Sequence, residues 1–130
     1  MKKVSSFIIV DDDPFNNSLC KFVIKTVMSD ADIIDFTYPE KALEYIETTY
    51  TNSANVYPTI LLLDINMPLL SGWDFLERYE QFSDYLKQQF TIYILSSSVD
   101  WDDKEKAAAN KLVKDYLIKP LTKESVEQIL

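Results

Sequence analysis

A chain of 130 residues, 47% of them hydrophobic, is one domain's worth and buries enough surface to fold alone, so residues 1–130 read as a single domain. Its 13 Lys and Arg against 21 Asp and Glu leave a net charge of -8, which disfavours phosphate backbones and anionic membranes as partners except at a local basic patch and argues against autonomous DNA binding. Histidine is absent and Gly72 is the one glycine, which removes Ser-His-Asp and Cys-His nucleophiles, histidine metal sites, and the G-x-G-x-x-G and Walker A phosphate loops.

The basic opening Met1-Lys2-Lys3 is followed by only Phe7-Ile8-Ile9-Val10 before three aspartates, too short for a signal peptide or a membrane helix. One cysteine, Cys20, cannot form an internal disulfide and fits a reducing compartment, so the expected location is cytoplasmic. Ser5 to Val10 reads as a first strand, stopped by Asp11-Asp12-Asp13-Pro14. From Pro14, residues Phe15, Leu19, Phe22, Val23 and Val27 recur at three- and four-residue spacing and predict an amphipathic helix facing the core with that stripe, Cys20 inert inside or beside it. Ile33 to Phe36 is a second short strand. Tyr38-Pro39-Glu40 opens a second helix with Ala42, Leu43 and Ile46 on one face, and Thr48 to Tyr57 reads as a loop.

The run Thr59-Ile60-Leu61-Leu62-Leu63-Asp64, bounded by Pro58 and Pro68, predicts a central strand buried on both faces, the pattern of a parallel sheet covered by helices. Gly72 begins a third helix with Trp73, Leu76, Tyr79 and Phe82 toward the core, and the glycine is read as serving a positive φ between loop and helix. Thr91 to Leu95 is strand four, ending in Ser96-Ser97-Ser98. A charged, alanine-containing fourth helix follows, then strand five at Asp115 to Ile118, stopped by Lys119-Pro120. A short fifth helix is capped by Thr122. Five strands alternating with five helices give an α/β, doubly wound five-stranded parallel sheet.

In such sheets ligands bind beyond the carboxyl ends of the strands. Asp11 and Asp12 after strand one, Asp64 after strand three, Ser96 or Ser97 after strand four and Lys119 after strand five would therefore share one edge. Three crowded carboxylates call for a divalent cation or a raised pKa, and with oxygen ligands alone Mg²⁺ is the favoured ion. A hydroxyl and an ammonium facing those acids suit a phosphoryl group. Taken singly, the acids read equally as a helix-capping cluster, Asp64 as a strand-end cap, Lys119 as a solvated lysine and Tyr116 as core.

Taken in order, Val10-Asp11-Asp12-Asp13-Pro14, Leu63-Asp64-Ile65-Asn66-Met67-Pro68 with Gly72, Leu95-Ser96-Ser97 and Tyr116-Leu117-Ile118-Lys119-Pro120 resemble the response-regulator receiver domain of two-component signalling, across essentially the whole chain. The resemblance implies the flavodoxin-like (βα)5 fold with strand order 2-1-3-4-5, and a phosphorylation-controlled switch rather than an enzyme beyond its own phosphoryl transfer and loss. It implies Asp64 as phosphoacceptor, Asp11 and Asp12 with Asp64 and the Asn66 carbonyl as the Mg²⁺ site, Ser96 and Lys119 as phosphoryl-binding groups, and Ser96 with Tyr116 as switch residues. It also implies a cis Lys119-Pro120 peptide. The serine triplet leaves Ser96 and Ser97 as alternatives, Ser96 preferred because it directly follows Ile94-Leu95. Implied partners are a sensor histidine kinase or histidine phosphotransfer protein and a downstream protein, with no nucleic acid and no membrane. With no histidine the chain would take its phosphoryl group in trans, and with no output domain within these 130 residues it would act by binding a partner or by passing the group to a histidine in a relay, unless it is part of a longer regulator.

Asp64-Ile65-Asn66 is also similar to the D-x-D of haloacid-dehalogenase-type phosphatases. That family places its nucleophile strand first and an acid where Asn66 stands, so chain order opposes it. A receiver-like interaction module working without phosphorylation is the third reading.

Overall fold

The computed structural model describes residues 6–51 and 57–130. Met1-Lys2-Lys3, the first residue of the expected first strand and half of the expected loop after the second helix lie outside them. Five parallel strands, β1 (Ser6–Val10), β2 (Asp32–Phe36), β3 (Thr59–Leu63), β4 (Phe90–Ser96) and β5 (Val113–Ile118), form one sheet in the order β2-β1-β3-β4-β5. The doubly wound order 2-1-3-4-5 is as expected. All five residues of β3 are buried, which follows from its central place and its unbroken apolar sequence.

Helices cover both faces. Phe7, Ile9, Ile60, Leu62, Tyr93 and Leu95 point to one side, against Cys20 and Ile24 of α1 (Pro14–Val27) and Val126 of α6 (Lys123–Ile129). Ile8, Val10, Leu61, Leu63, Ile92 and Ile94 point to the other. There they meet Ala42, Leu43, Ile46 and Tyr50 of α2 (Pro39–Thr51), Phe75, Leu76 and Tyr79 of α3 (Gly72–Glu80), Leu86 of α4 (Asp84–Lys87) and Ala107 of α5 (Trp101–Ala109). Period-two alternation thus sends neighbouring strand residues into two separate cores, and each fully buried aliphatic side chain contributes roughly 1.5–3 kcal/mol.

Several local expectations change. In α1 the expected apolar stripe is only partly inward: Val23 and Val27 pack on the core, but Phe15 is 77% and Phe22 69% exposed, and the buried positions are Asn16, Asn17, Cys20 and Ile24. The two asparagines occupy the inward positions because they bond the end of β1, as described below. α2 continues through Thr48 to Thr51 where a loop was expected, because Tyr50 packs on Phe90 with ring centroids 4.6 Å apart and its hydroxyl meets Thr59 Oγ1 at 3.0 Å.

A one-turn helix, α4, is added; its cap Ser83 accepts from Leu86 N. β5 begins at Val113, two residues early, with an irregularity that places Lys114 opposite no single partner in β4. Asn110 turns the chain into it without glycine, its side chain accepting from Leu112 N at 2.9 Å.

Gly72 has no positive φ. A Cβ there would lie 2.6 Å from the Asp64 carbonyl oxygen and 2.7 Å from Ile65 Cα, so glycine is required by close backbone approach rather than by conformation. Gly72 N in turn donates to Ile65 O at 3.1 Å. The start of α3 is thereby seated directly on the turn that carries Asp64.

Candidate functional site

β1, β3, β4 and β5 all end at the same sheet edge, and their next residues are polar. The β1 turn is built by its three acids in different ways. Asp13 caps α1, its Oδ1 accepting from Phe15 N at 3.0 Å with Pro14 in the first turn, while Asp12 stays exposed. Asp11 turns inward to 2% exposure. Its Oδ1 accepts from Asp13 N at 2.9 Å; its Oδ2 accepts from Asn16 Nδ2 at 2.8 Å and from Lys119 Nζ at 2.6 Å. Asn17 fixes the same turn from its backbone side, donating to the Asp11 carbonyl at 3.0 Å.

Asp64 is 5% exposed and is held by main-chain bonds: its N–H donates to Val10 O at 2.9 Å, and its Oδ1 accepts from Asn66 N at 3.3 Å. Its Oδ2 is 3.7 Å from Lys119 Nζ, so the ammonium sits between two buried carboxylates and closer to Asp11. One carboxylate oxygen from each of Asp11, Asp12 and Asp64 lies within 4.8 Å of the others. Burial, then the charge of Asp11, push the Asp64 carboxyl up from 3.8 to about 6, against the opposing pull of Lys119 and the Asn66 amide. Burial pulls the Lys119 ammonium down, but its bond to Asp11 and the charges of Asp64 and Asp11 outweigh that and leave its pKa raised.

The donor set fits a hard divalent cation. Three crowded acids with no soft ligand, one of them raised by burial and then by the charge of Asp11, are what such an ion relieves. The β4 end carries the hydroxyls. Ser96 is fully buried and its Oγ accepts from Ser98 N at 3.1 Å, leaving its O–H free to donate; Ser97 is exposed. Lys119 N donates to Ser96 O at 2.9 Å, tying the ends of β4 and β5 together. The Tyr116 hydroxyl donates to the Ser98 carbonyl at 2.7 Å, and Ser98 Oγ meets Asp103 Oδ2 at 2.9 Å, so the loop after β4 is pinned from β5 and from α5. The Lys119-Pro120 peptide is cis.

The expected site residues Asp11, Asp12, Asp64, Ser96 and Lys119 therefore gather at one edge, with Tyr116 of β5 bonded to the adjoining loop. Asn16 and Asn17 were missed. Their signal was polarity at inward helical positions, which a search for apolar periodicity passes over.

A parallel sheet of this order, with acids, a hydroxyl and a lysine at its carboxyl edge, defines a flavodoxin-like α/β domain with a polar site at the strand ends. The model of the response regulator receiver domain matches residues 7–130, and the chain belongs to that family. It is similar to a two-component response regulator from Cytophaga hutchinsonii at 28% identity, with a TM-score of 0.87 over 98% of this chain and 95% of that one. A response regulator receiver protein from Dyadobacter fermentans matches at 26% identity, with a TM-score of 0.86 over 96% and 94%. A receiver domain protein from Methanospirillum hungatei, at 16% identity and a TM-score of 0.73 over 98% and 90%, shares the fold. No curated protein sequence matches. Among the described residues no helix is long and apolar enough to cross a membrane.

Proposed function

We propose that residues 1–130 act as one cytoplasmic receiver unit, a phosphorylation-controlled switch in which Asp64 is the phosphoacceptor. The carrying observation is the Lys119 ammonium lodged between Asp11 and Asp64, 2.6 and 3.7 Å from their oxygens, beside three converging carboxylates. An Asp64 carboxylate oxygen attacks the phosphorus of a phosphohistidine on a sensor kinase or phosphotransfer protein. The new O–P bond forms as the N–P bond breaks, and the imidazole leaves with its electron pair. Asp11, Asp12, Asp64 and the Asn66 carbonyl would hold Mg²⁺, which when bound neutralises charge on the phosphoryl oxygens.

Lys119 needs only a short displacement from Asp11 to reach a phosphoryl oxygen on Asp64. The free O–H of buried Ser96 is the second donor, and Ser96 rather than exposed Ser97 is assigned this role. Drawing Ser96 Oγ toward the phosphoryl oxygen pulls it away from Ser98 N, and Ser98 is the residue to which Tyr116 and Asp103 are tied. Phosphorylation thus shifts an existing equilibrium of the loop after β4 and changes the surface of α5 and β5 presented to a downstream protein. Intact-mass measurement after incubation with acetyl phosphate and Mg²⁺ tests this. The native chain gains one phosphoryl group and Asp64→Ala gains none; no adduct on the native chain, or an equal adduct on both, overturns the proposal.

A further inference from the structure

Asn16 sits where leucine would serve folding better. It lies in the first turns of α1, is 7% exposed, and faces the core in a helix that puts Phe15 and Phe22 in solvent. An amide taken out of water must be compensated by a bond within the protein. Nor is Asn16 needed to hold the loop backbone, because Asn17 does that through the Asp11 and Phe36 carbonyls. What Asn16 does bond is Asp11 Oδ2, at 2.8 Å. That is the same oxygen that receives Lys119 Nζ. Its other contact, Cys20 Sγ at 3.7 Å, is a weak acceptor.

We propose that Asn16 is a positioning residue for phosphoryl acceptance: its amide keeps Asp11 Oδ2 hydrogen-bonded while Lys119 moves off that oxygen toward a phosphoryl group on Asp64. The inference rests on the reading of Asp64 as phosphoacceptor. Without Asn16, departure of Lys119 strips the 2%-exposed Asp11 of both side-chain donors on Oδ2, leaving the Asp13 amide on Oδ1 and the shared metal to offset its charge, and thinning the donors around a buried carboxylate is costly. The ammonium then stays on Asp11. With Asn16 in place the transfer exchanges one charge-assisted bond for another while the second donor persists.

The test uses initial rates of phosphorylation by acetyl phosphate with Mg²⁺, read by intact mass across donor concentrations, together with thermal melts. Asn16→Leu lowers the maximal rate on the order of tenfold, leaves the half-saturating donor concentration within about twofold, and melts at or above the native temperature. Asn16→Gln, which keeps an amide donor, recovers at least about half of the lost rate. A maximal rate for Asn16→Leu equal to the native one, or an Asn16→Gln protein as slow as Asn16→Leu, overturns the role. Should Asn16→Leu melt low, Asn16→Gln and Asn16→Asp decide: a fast Gln and a slow Asp variant support the donor role, and equal rates refute it. A native protein that takes no phosphoryl group refutes the phosphoacceptor reading itself, before any variant is compared.

Discussion

Replacing Asp64 by asparagine removes the charge whose burial is the least favourable in the site, and the metal-free protein should become more stable. Asp64 is 5% exposed, and burial with the Asp11 charge raises its carboxyl from 3.8 to about 6. A shift of about two units at about 1.4 kcal/mol each sets an upper limit near 3 kcal/mol; screening at the open mouth of the site trims this to about 2 kcal/mol. The sign follows from the raised folded-state pKa. The folded protein holds the Asp64 proton more tightly than the unfolded chain does, so this contribution to stability is full below about pH 4 and lost as pH rises through 6. The substituted amide mimics the protonated acid at every pH while still offering an oxygen to Asn66 N. In urea titrations with chelator, the midpoint of Asp64→Asn therefore exceeds the native one at pH 7.5 by roughly 1 M, and the two converge near pH 4. Equal midpoints at pH 7.5, or a gap that widens on acidification, would refute the electrostatic account of the site.

Three further outcomes follow from particular contacts. Gly72→Ala drives a methyl to 2.6 Å from the Asp64 carbonyl oxygen, a backbone atom with little room to yield; calorimetry should show a loss of about 2–4 kcal/mol, and phosphorylation should slow because the Asp64 turn is displaced. Tyr116→Phe deletes the hydroxyl bond to the Ser98 carbonyl at a cost of about 1 kcal/mol in unfolding free energy by denaturant titration, with broadened amide signals at residues 97–100 by NMR. Cys20 is fully buried, and burial followed by the Asp11 charge raises its thiol to about 12, so an aromatic disulfide reagent should label it only in denaturant.

How far the sequence leads depends on what each residue is doing. Strand identity and the site edge were legible because β3 is uniformly apolar and because parallel topology forces strand-end residues together: Asp11, Asp64, Ser96 and Lys119 needed only a count of strands. The inward face of α1 was read correctly at Val23 and Val27 but misread at its start, because periodicity weighs apolarity alone. Where a helix begins at a polar site, Asn16 and Asn17 serve better inward than Phe15 and Phe22, since a buried carboxylate and an open strand end need donors. The single turn of α4 is too short to show a period, and the Thr48–Thr51 extension of α2 is imposed by the packing of Tyr50 against Phe90 and Thr59, which sequence alone does not reveal. Gly72 was legible as structural, but its reason, a backbone passing 2.6 Å from a would-be methyl, exists only in three dimensions.

The central claim is that Asp64, among the three clustered acids, takes the phosphoryl group. Incubation with acetyl phosphate and Mg²⁺, reduction of the acyl phosphate by borohydride and peptide mapping locate it directly, because the reduced acyl phosphate leaves homoserine in place of the aspartate. The account predicts homoserine at position 64 and unmodified Asp11 and Asp12. Conversion at Asp11 or Asp12, or no conversion at position 64 in protein freshly exposed to the donor, would contradict it.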